Sequence, residues 1–446
     1  MKIRQVLLLD DRSQAVKSFL SDLEQLGLQI SPNSSIQLEG RDQILIGHSD
    51  DISEQAAGTI RRALNFGCCV LIDPQRFPDI LNEIKQTGSV SEKSRKRLDA
   101  YALYKCIESD TRLLASMQGS LPDFMVTAHE KVQDLRYGEN WHQKAALYRN
   151  PGALGLYKSA KLNGREMSYN NVVDAETVLE MQIDLSEYDG VGVDKALCVI
   201  VKHANPCGVA YGSDLEAAYR ASFATDPKSA FGGVIGFNRT VDVKTAQAIG
   251  DSFVEVLLAP GYDPAALKLL TEKKPNRRIL DVGNLLSRKK ELYVGQSVKG
   301  VFGGLLVQDY DTGDIKEWRV VTKRKPTDSE VRALRFAWKV AKYVKSNALV
   351  YTTEDRTIGI GSGQVSRVDS ARFGAEKAAE HGLSTKGTVA ATDSFFPFRD
   401  GLEETYRAGA TAVVHPGGSI RDAEVIQAAD EYEMAMVFTS MRHFRH

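Results

Sequence analysis

The apolar positions of the chain fall into short runs that alternate with amphipathic stretches. The first segment predicts strands at 43–47 and 69–72 and helices at 13–26 and 92–109. Further along, 196–201 is a continuous apolar run, which indicates a strand covered on both faces in the middle of a sheet. Alternation of helix and strand on this scale predicts an α/β fold rather than a helical bundle or a β-sandwich.

The last third of the chain continues this alternation. Thr327 and Glu330 have the spacing of a capping box, which predicts the start of an amphipathic helix. The runs that follow predict two strands, then a helix, a strand, a helix and a strand: 348–352, 357–361, 402–407, 411–414, 422–431 and 434–439.

We expect three regions along the chain. Residues 1–125 form a small N-terminal α/β region with a helical connector, and 126–320 and 321–446 form two larger α/β units. The polar passage 308–326 is interpreted as the connection between these units. Its basic triplet, Lys323-Arg324-Lys325, is more typical of a solvated linker than of a binding patch.

Length, charge and cysteine content indicate the number of domains, the kinds of partner and the compartment. At 446 residues the chain can form two or three domains, and its 57 basic and 58 acidic residues nearly cancel. The overall charge therefore gives no argument for nucleic acid or an anionic membrane as a partner. Five cysteines without a C-x-x-C pair favour a reduced compartment, and no apolar run has the length of a signal peptide or a membrane span. We expect a cytoplasmic protein.

Lys202 and His203 directly follow the apolar run at 196–201. Ligands of α/β sheets bind beyond the carboxyl ends of strands, where a histidine can exchange a proton and a lysine can stabilise an oxyanion or hold a phosphate. Pro206 and Gly208 are expected to turn the chain out of the strand. Both side chains serve one pocket only if the strand ends or bulges there. The alternative interpretation is a solvated lysine and a structural histidine.

Three other segments are candidates for function. The glycines at 359–364 lack the spacing of a dinucleotide site and predict a turn near a ligand, with Arg367 as an anion contact, or a purely structural turn. The segment 415–419 precedes a helix and is a candidate anion site. The aromatic segment 393–401 is either a buried loop core or a wall of rings for a flat heterocycle.

The run His-Ala-Asn-Pro-Cys at 203–207 invites comparison with zinc deaminases. Those enzymes need three metal ligands, a glutamate that moves protons and a P-C-x-x-C element. Here Asn205 stands in the place of the glutamate, and no second cysteine follows Cys207. The run therefore argues against a catalytic zinc site.

Ten segments, in order across residues 135–446, resemble the transformylase part of the AICAR transformylase/IMP cyclohydrolase family. They are LRYGENWHQ (135–143), MSYNNVVDA (167–175), VKHANPCG (201–208), SAFGG (229–233), LLAPGY (257–262), VTKRKPT (321–327), KSNALVY (345–351), GIGSGQVSRV (359–368), DSFFPFRDG (393–401) and the terminal RHFRH. Residues 54–117 are similar to the stretch that closes the family's cyclohydrolase domain.

Residues 1–53 depart from the family. They lack its serine-aspartate-lysine-threonine-glycine element and its lysine-threonine-leucine-histidine-proline run, and they are too few to form that domain. The resemblance therefore implies a transformylase without IMP cyclohydrolase activity, with a vestigial or rebuilt N-terminal region.

The resemblance implies transfer of the formyl group of 10-formyltetrahydrofolate to the 5-amino group of AICAR, giving FAICAR and tetrahydrofolate. It implies two cytidine-deaminase-like α/β units without zinc, in a homodimer with active sites at the subunit interface. AICAR and the folate co-substrate are the expected partners, with no catalytic metal, nucleic acid or membrane. Formate with ATP as the formyl donor is an open alternative.

The resemblance also assigns roles to residues. His203 matches the family's base, Lys202 a lysine that assists proton transfer, and Asn347 an asparagine that hydrogen-bonds the formyl oxygen. The phosphate contacts would be Arg136, Tyr137 and Arg442, and the contacts to the base or its carboxamide Asn171 and Arg367. Further substrate contacts would be Phe231, Gly232, Glu255 (an aspartate in relatives), Phe395, Phe396, Pro397 and Phe398.

Two other classes of function stay open at this point. A zinc-dependent nucleoside deaminase would bind stoichiometric zinc. A non-catalytic AICAR-binding homologue would bind AICAR without turnover, although the joint presence of Lys202, His203 and Asn347 argues against it.

Overall fold

The computed structural model describes residues 3–10, 12–31, 38, 40, 42–50, 52–186, 195–272 and 274–446. The chain forms two compact units, Met1–Glu130 and Lys131–His446. Both combine helices with strands, which confirms the α/β class. Within the described ranges, no helix is both long enough and apolar enough to cross a membrane.

The first unit is built on a parallel sheet. Its elements are β1 (Gln5–Leu8), α1 (Gln14–Gln25), β2 (Gln29–Ser31), β3 (Gln43–Ile46), α2 (Glu54–Phe66), β4 (Cys69–Leu71), α3 (Phe77–Thr87) and α4 (Glu92–Ser116). The strand order is β2-β1-β3-β4, with apolar clusters on both faces. The strands and helix predicted at 43–47, 69–72 and 13–26 are confirmed to within one residue, and the helix predicted at 92–109 continues to Ser116.

The second unit contains the remaining elements. They are β5 (Glu130–Leu135), β6 (Ala145–Arg149), β7 (Ala160–Asn163), α5 (Tyr169–Ser186), β8 (Ala196–Lys202), β9 (Asn205–Gly212), α6 (Leu215–Phe223), α7 (Pro227–Ala230), β10 (Val234–Phe237), α8 (Val243–Ile249), β11 (Val256–Ala259), α9 (Pro264–Glu272), β12 (Arg278–Asp281), α10 (Lys289–Leu292), β13 (Gln296–Val301), β14 (Gly304–Asp309), β15 (Arg319–Val320), α11 (Asp328–Ala341), β16 (Leu349–Thr352), β17 (Thr357–Gly361), α12 (Arg367–Glu380), β18 (Val389–Thr392), α13 (Arg399–Arg407), β19 (Ala412–His415), α14 (Asp422–Glu431) and β20 (Ala435–Phe438).

Two six-stranded sheets of the second unit repeat one topology. The first has the order β7-β12-β11-β10-β8-β9 and the second the order β15-β20-β19-β18-β16-β17. In both sheets the successive pairs are antiparallel, parallel, parallel, antiparallel and antiparallel. The edge strands β9 and β17 meet through an antiparallel bridge between Ala210 and Arg356.

The strand β8 alternates between two buried cores, as the apolar run predicts. Leu197, Val199 and Val201 belong to a core shared with α5, α11 and the second sheet, whereas Cys198 and Ile200 pack with α6 on the other face. The last residues of β8 therefore leave the interior at a fixed place in the fold.

The start of α11 confirms the predicted capping box. The Thr327 hydroxyl accepts the Glu330 N–H, and the Glu330 carboxylate accepts the Thr327 N–H. Arg324 forms two hydrogen bonds with the same carboxylate, at 2.9 and 2.6 Å, and also donates to the Thr411 carbonyl. The expectation that the whole basic triplet is a solvated linker is thus wrong for Arg324, which anchors the helix start.

Candidate functional site

The chain reverses at His203 and Ala204, between β8 and β9. Both residues have φ of 55°, in the left-handed region, and Lys202 pairs with Asn205 across the turn. The expected turn at Pro206 and Gly208 is wrong, because both residues lie inside β9. A register shift between Ile200 and Val201 accommodates the proline, which has no N–H to donate to a regular ladder.

Asp174 of α5 holds this turn in place. Its Oδ1 accepts the Ala204 N–H at 2.6 Å and its Oδ2 accepts the His203 N–H at 3.3 Å. Burial raises the pKa of Asp174, whereas these N–H groups and the charge of His203 act in the opposite direction. The helix thereby fixes the backbone from which the His203 ring projects.

Lys202 and His203 line one cleft of about 480 Å³, called here the lysine–histidine cleft. Because the strand has ended at Lys202, the condition for both side chains to serve one pocket is met. The Lys202 ammonium donates to the Phe231 carbonyl at 2.8 Å. The exposed His203 ring has no hydrogen-bond partner among the described residues, so it is available to a ligand.

The loop at Phe231 and Gly232 lies beside Lys202. The Phe231 side chain is 61% exposed, and its ring centroid lies 5.3 Å from that of Phe253. Gly232 has φ of +75° and donates to the Phe253 carbonyl, and a Cβ there would lie 3.2 Å from the Phe253 ring. Only glycine therefore fits this approach without strain.

A second cleft of about 460 Å³, the arginine cleft, is lined by Arg136, Tyr137, Glu255 and Arg278. The exposed Arg136 guanidinium lies over the Tyr137 ring, 5.3 Å from its centroid. Asn171 approaches from α5, with Nδ2 at 3.5 Å from Glu255 Oε2. The cleft thus combines exposed cationic charge with a carboxylate, which suits a phosphorylated ligand that also carries donor groups.

Asn347, two residues before β16, and Arg367, the first residue of α12, form a third group. Asn347 Nδ2 donates to the Gln364 carbonyl, and its Oδ1 accepts from Arg367 Nη1 at 2.8 Å. Arg367 also donates to Asp393 Oδ1 and to the Phe395 carbonyl. Burial lowers the pKa of Arg367, and the Asp393 charge opposes this. Arg367 therefore orients Asn347 through bonds within the protein.

A backbone contact connects the first and third groups. Asn205, the first residue of β9, accepts the Lys345 N–H at 2.9 Å through its side-chain oxygen. Lys345 lies two residues before Asn347, so the His203 turn and the Asn347 segment are tied to each other.

The glycines at 359–361 have a structural role. Gly359 and Gly361 lie in β17, and a Cβ on Gly361 would lie 1.9 Å from the Ser370 carbonyl oxygen of α12. The small residues let helix and strand pack closely. The expected turn near a ligand does not form at these two residues, where the structure has a strand.

The aromatic segment 393–401 is partly a buried loop core and partly exposed. Phe396 is fully buried and contacts His415 edge-on at 5.3 Å, so its expected place around substrate rings is wrong. Phe395 is half-buried and Pro397 is exposed. The Phe398 ring is partly exposed and lies beneath the Arg421 guanidinium, 4.7 Å away.

The segment 415–419 does not form the predicted anion site. The N–H groups of Gly418 and Ser419 donate to the Asp422 carboxylate, which fills the position expected for an anion. Arg442 is exposed and lies over the Phe444 ring at 4.2 Å, outside the arginine cleft.

Across the part of the chain that the structure describes, no group of three His, Cys, Asp or Glu side chains is arranged to hold a metal ion.

Two residues of the site lie outside the sequence-based prediction. Asp174 lies within the segment 167–175 and is buried in α5. A buried carboxylate needs hydrogen-bond donors, which is the signal that could have indicated its role. Arg278 carries no comparable signal, because its partner Glu255 lies 23 residues earlier, just before the neighbouring strand β11.

The fold and the site define an α/β enzyme with two clefts. Lys202 and His203 line the lysine–histidine cleft, and Glu255 lies in the otherwise cationic arginine cleft. A family model described as "AICARFT/IMPCHase bienzyme" matches residues 64–377. Two relatives, each named bifunctional purine biosynthesis protein PurH, are similar to the chain. That of Chloroflexus aurantiacus is 46% identical over 380 residues, covering 84% of this chain and 71% of the relative. That of Persephonella marina is 44% identical over 386 residues, covering 84% and 73%. The chain belongs to the AICARFT/IMPCHase family.

Proposed function

We propose that the chain is an AICAR formyltransferase of purine biosynthesis, which transfers the formyl group of 10-formyltetrahydrofolate to the 5-amino group of AICAR. Family membership across residues 64–377 supports the activity. The observation that carries the proposal is the common cleft of Lys202 and His203 at the end of β8.

The residue types suit this reaction. The AICAR amine is conjugated with its imidazole ring and is a weak nucleophile, so a base must remove its proton as it attacks the formyl carbon. His203 is the base, because its ring is exposed and its backbone is fixed by Asp174. Lys202 stabilises the developing oxyanion, and Asn347 donates its amide to the formyl oxygen.

The nucleotide would occupy the arginine cleft. Arg136 and Tyr137 would bind its phosphate, and Asn171 and Glu255 would contact donor groups of the nucleotide. The loop of Phe231 and Gly232 lies between this cleft and Lys202, since its carbonyl binds Lys202 and its amide binds Phe253. The amine would therefore reach Lys202 and His203 along this loop.

We further propose a cytoplasmic homodimer with active sites at the subunit interface. Arg442 lies outside the arginine cleft of its own chain, so a second copy would supply Arg442 to that cleft. The repeated topology supports two cytidine-deaminase-like units, within 126–320 and 321–446, that work without zinc. Five free, buried cysteines are compatible with a reduced compartment.

The test is an assay of FAICAR formation from AICAR and 10-formyltetrahydrofolate, with AICAR binding measured separately. Turnover is expected; binding without turnover would favour a non-catalytic homologue and contradict the proposal. Formate with ATP is assayed as the other donor. Conversion of FAICAR to IMP is expected to be absent, because residues 1–53 lack the cyclohydrolase motifs. Stoichiometric zinc with nucleoside deamination would instead favour the rival enzyme class.

A further inference from the structure

The carboxylate of Glu255 is held on one side only. Its Oε2 receives Arg278 Nη1 at 2.6 Å and lies 3.5 Å from Asn171 Nδ2. Its Oε1 has no hydrogen-bond partner among the described residues, and Glu255 lines the arginine cleft with a third of its side chain exposed. The contacts to Oε2 thus hold the carboxylate in position, and Oε1 is left to accept a hydrogen bond from a ligand.

The Arg278 side chain is buried behind the surface of the cleft. Its side chain is 4% exposed, and its Nε donates to the Glu166 carbonyl at 3.0 Å. Its backbone N–H donates to the Glu255 carbonyl, next to the parallel pairing of β11 with β12. Main chain and side chain therefore join Arg278, the first residue of β12, to Glu255, which directly precedes β11.

We propose that Arg278 is a positioning residue for nucleotide binding: it fixes Glu255 so that Oε1 faces the arginine cleft and accepts a donor group of the nucleotide. The inference rests on the proposed function for the identity of that nucleotide. A glutamate side chain is long and mobile, and the buried guanidinium removes that mobility. Arg278 itself need not touch the ligand.

Arg277 provides a matched control. It is also 4% exposed, but its guanidinium donates to the backbone carbonyls of Leu270, Gly250 and Ser252 and not to Glu255. Replacing either arginine by methionine removes a buried charge of the same type from adjacent positions. Only the change at Arg278 is expected to release the Glu255 carboxylate.

The experiment measures AICAR binding by titration calorimetry and formyl transfer by steady-state kinetics in the full chain. For Arg278→Met we expect the Kd and the KM for AICAR to rise about 10- to 100-fold, with kcat changed less than about threefold, since the released Glu255 carboxylate no longer forms its charged hydrogen bond with the nucleotide. Arg278→Lys is expected to recover part of the affinity. Arg277 also lines the arginine cleft, so Arg277→Met measures the general effect of losing a buried arginine there: it is expected to lower Tm and to raise the Kd much less than Arg278→Met does.

A double-mutant cycle separates positioning from a general structural effect. If Arg278 acts through Glu255, then Arg278→Met adds little to the loss of affinity caused by Glu255→Gln. Additive losses, or an unchanged Kd in folded Arg278→Met, would overturn the inference. If the wild-type protein binds AICAR without transferring formyl, only the proposed function is contradicted, because the Kd values of wild type and variants can still be compared. Wild-type protein that does not bind AICAR contradicts both.

Discussion

The carboxylate of Asp174 accepts the backbone N–H of Ala204 at 2.6 Å, one residue beyond His203. The contact joins the buried helix α5 to a two-residue turn in which both φ angles are positive. Neither residue of the turn is a glycine, so the turn depends on a partner that favours this conformation. Asp174 is that partner, and it places the His203 ring at the rim of the cleft.

Asp174→Asn tests this relationship. The asparagine amide has one acceptor oxygen, so the variant loses the negative charge and one of the two hydrogen bonds from the His203 and Ala204 N–H groups. We expect kcat to fall about tenfold and the free energy of unfolding to fall by about 1–3 kcal/mol. Asp242→Asn is the control, because Asp242 accepts the Thr245 N–H at a helix start away from both clefts. Equal kcat in the two variants would remove Asp174 from its positioning role.

His203→Ala is expected to reduce kcat by about 10²–10⁴, the range for a positioned acid or base. The Kd for AICAR should change little, because the arginine cleft is intact. Formyl transfer is measured at saturating substrates, with the exposed His129→Ala as a control. A variant at position 203 with near wild-type turnover would show that another group takes the proton.

Arg367→Met is expected to destabilise the protein strongly. Asp393 is fully buried, and loss of the guanidinium leaves its carboxylate without its ion-pair partner. Breaking a buried pair in this way costs about 3–5 kcal/mol, measured here by urea unfolding. The double variant Arg367→Met with Asp393→Asn should recover part of the loss, because the unpaired charge is removed. No recovery would contradict this explanation.

His415 gives an expected pH dependence of stability. Burial lowers the pKa of this ring from 6.5 to about 3, and its Nδ1 accepts the Gly417 N–H. Between these values the unfolded chain binds a proton that the native protein does not, so stability is lost as pH falls from 6.5 towards 3. The site contributes up to about 1.4 kcal/mol per pH unit.

The measurement is urea unfolding at several pH values for wild type and His415→Gln. The variant is expected to be less stable at pH 7.5 but to lose stability less steeply below pH 6.5. Parallel curves for the two proteins would show that His415 is not the titrating group.

Regular elements were predictable because their signals are local. The strand at 357–361 and the helix at 422–431 are found with the predicted bounds, and the Thr327–Glu330 capping box forms as expected. The reversal at His203 was assigned instead to Pro206 and Gly208, because turn residues mark reversals in most sequences. Here a carboxylate 30 residues away decides the backbone, and no local pattern records it.

Long-range pairing also limits prediction of the site. Lys202 and His203 were found from their place after an apolar run, and the resemblance supplied Asn347 and Glu255. These residues are oriented by side chains that are distant in sequence: Arg278 at the start of β12 binds Glu255, and Arg367 at the start of α12 binds Asn347. Those contacts depend on sheet order, which composition and periodicity do not determine.

The bridge between Ala210 and Arg356 has a consequence for how the two repeated sheets meet. Each repeated sheet offers the same edge strand, and the two edges run antiparallel. Two identical subunits related by a two-fold axis would join through the same surface in this way. The two halves of this polypeptide therefore meet edge to edge as two copies of one subunit would meet.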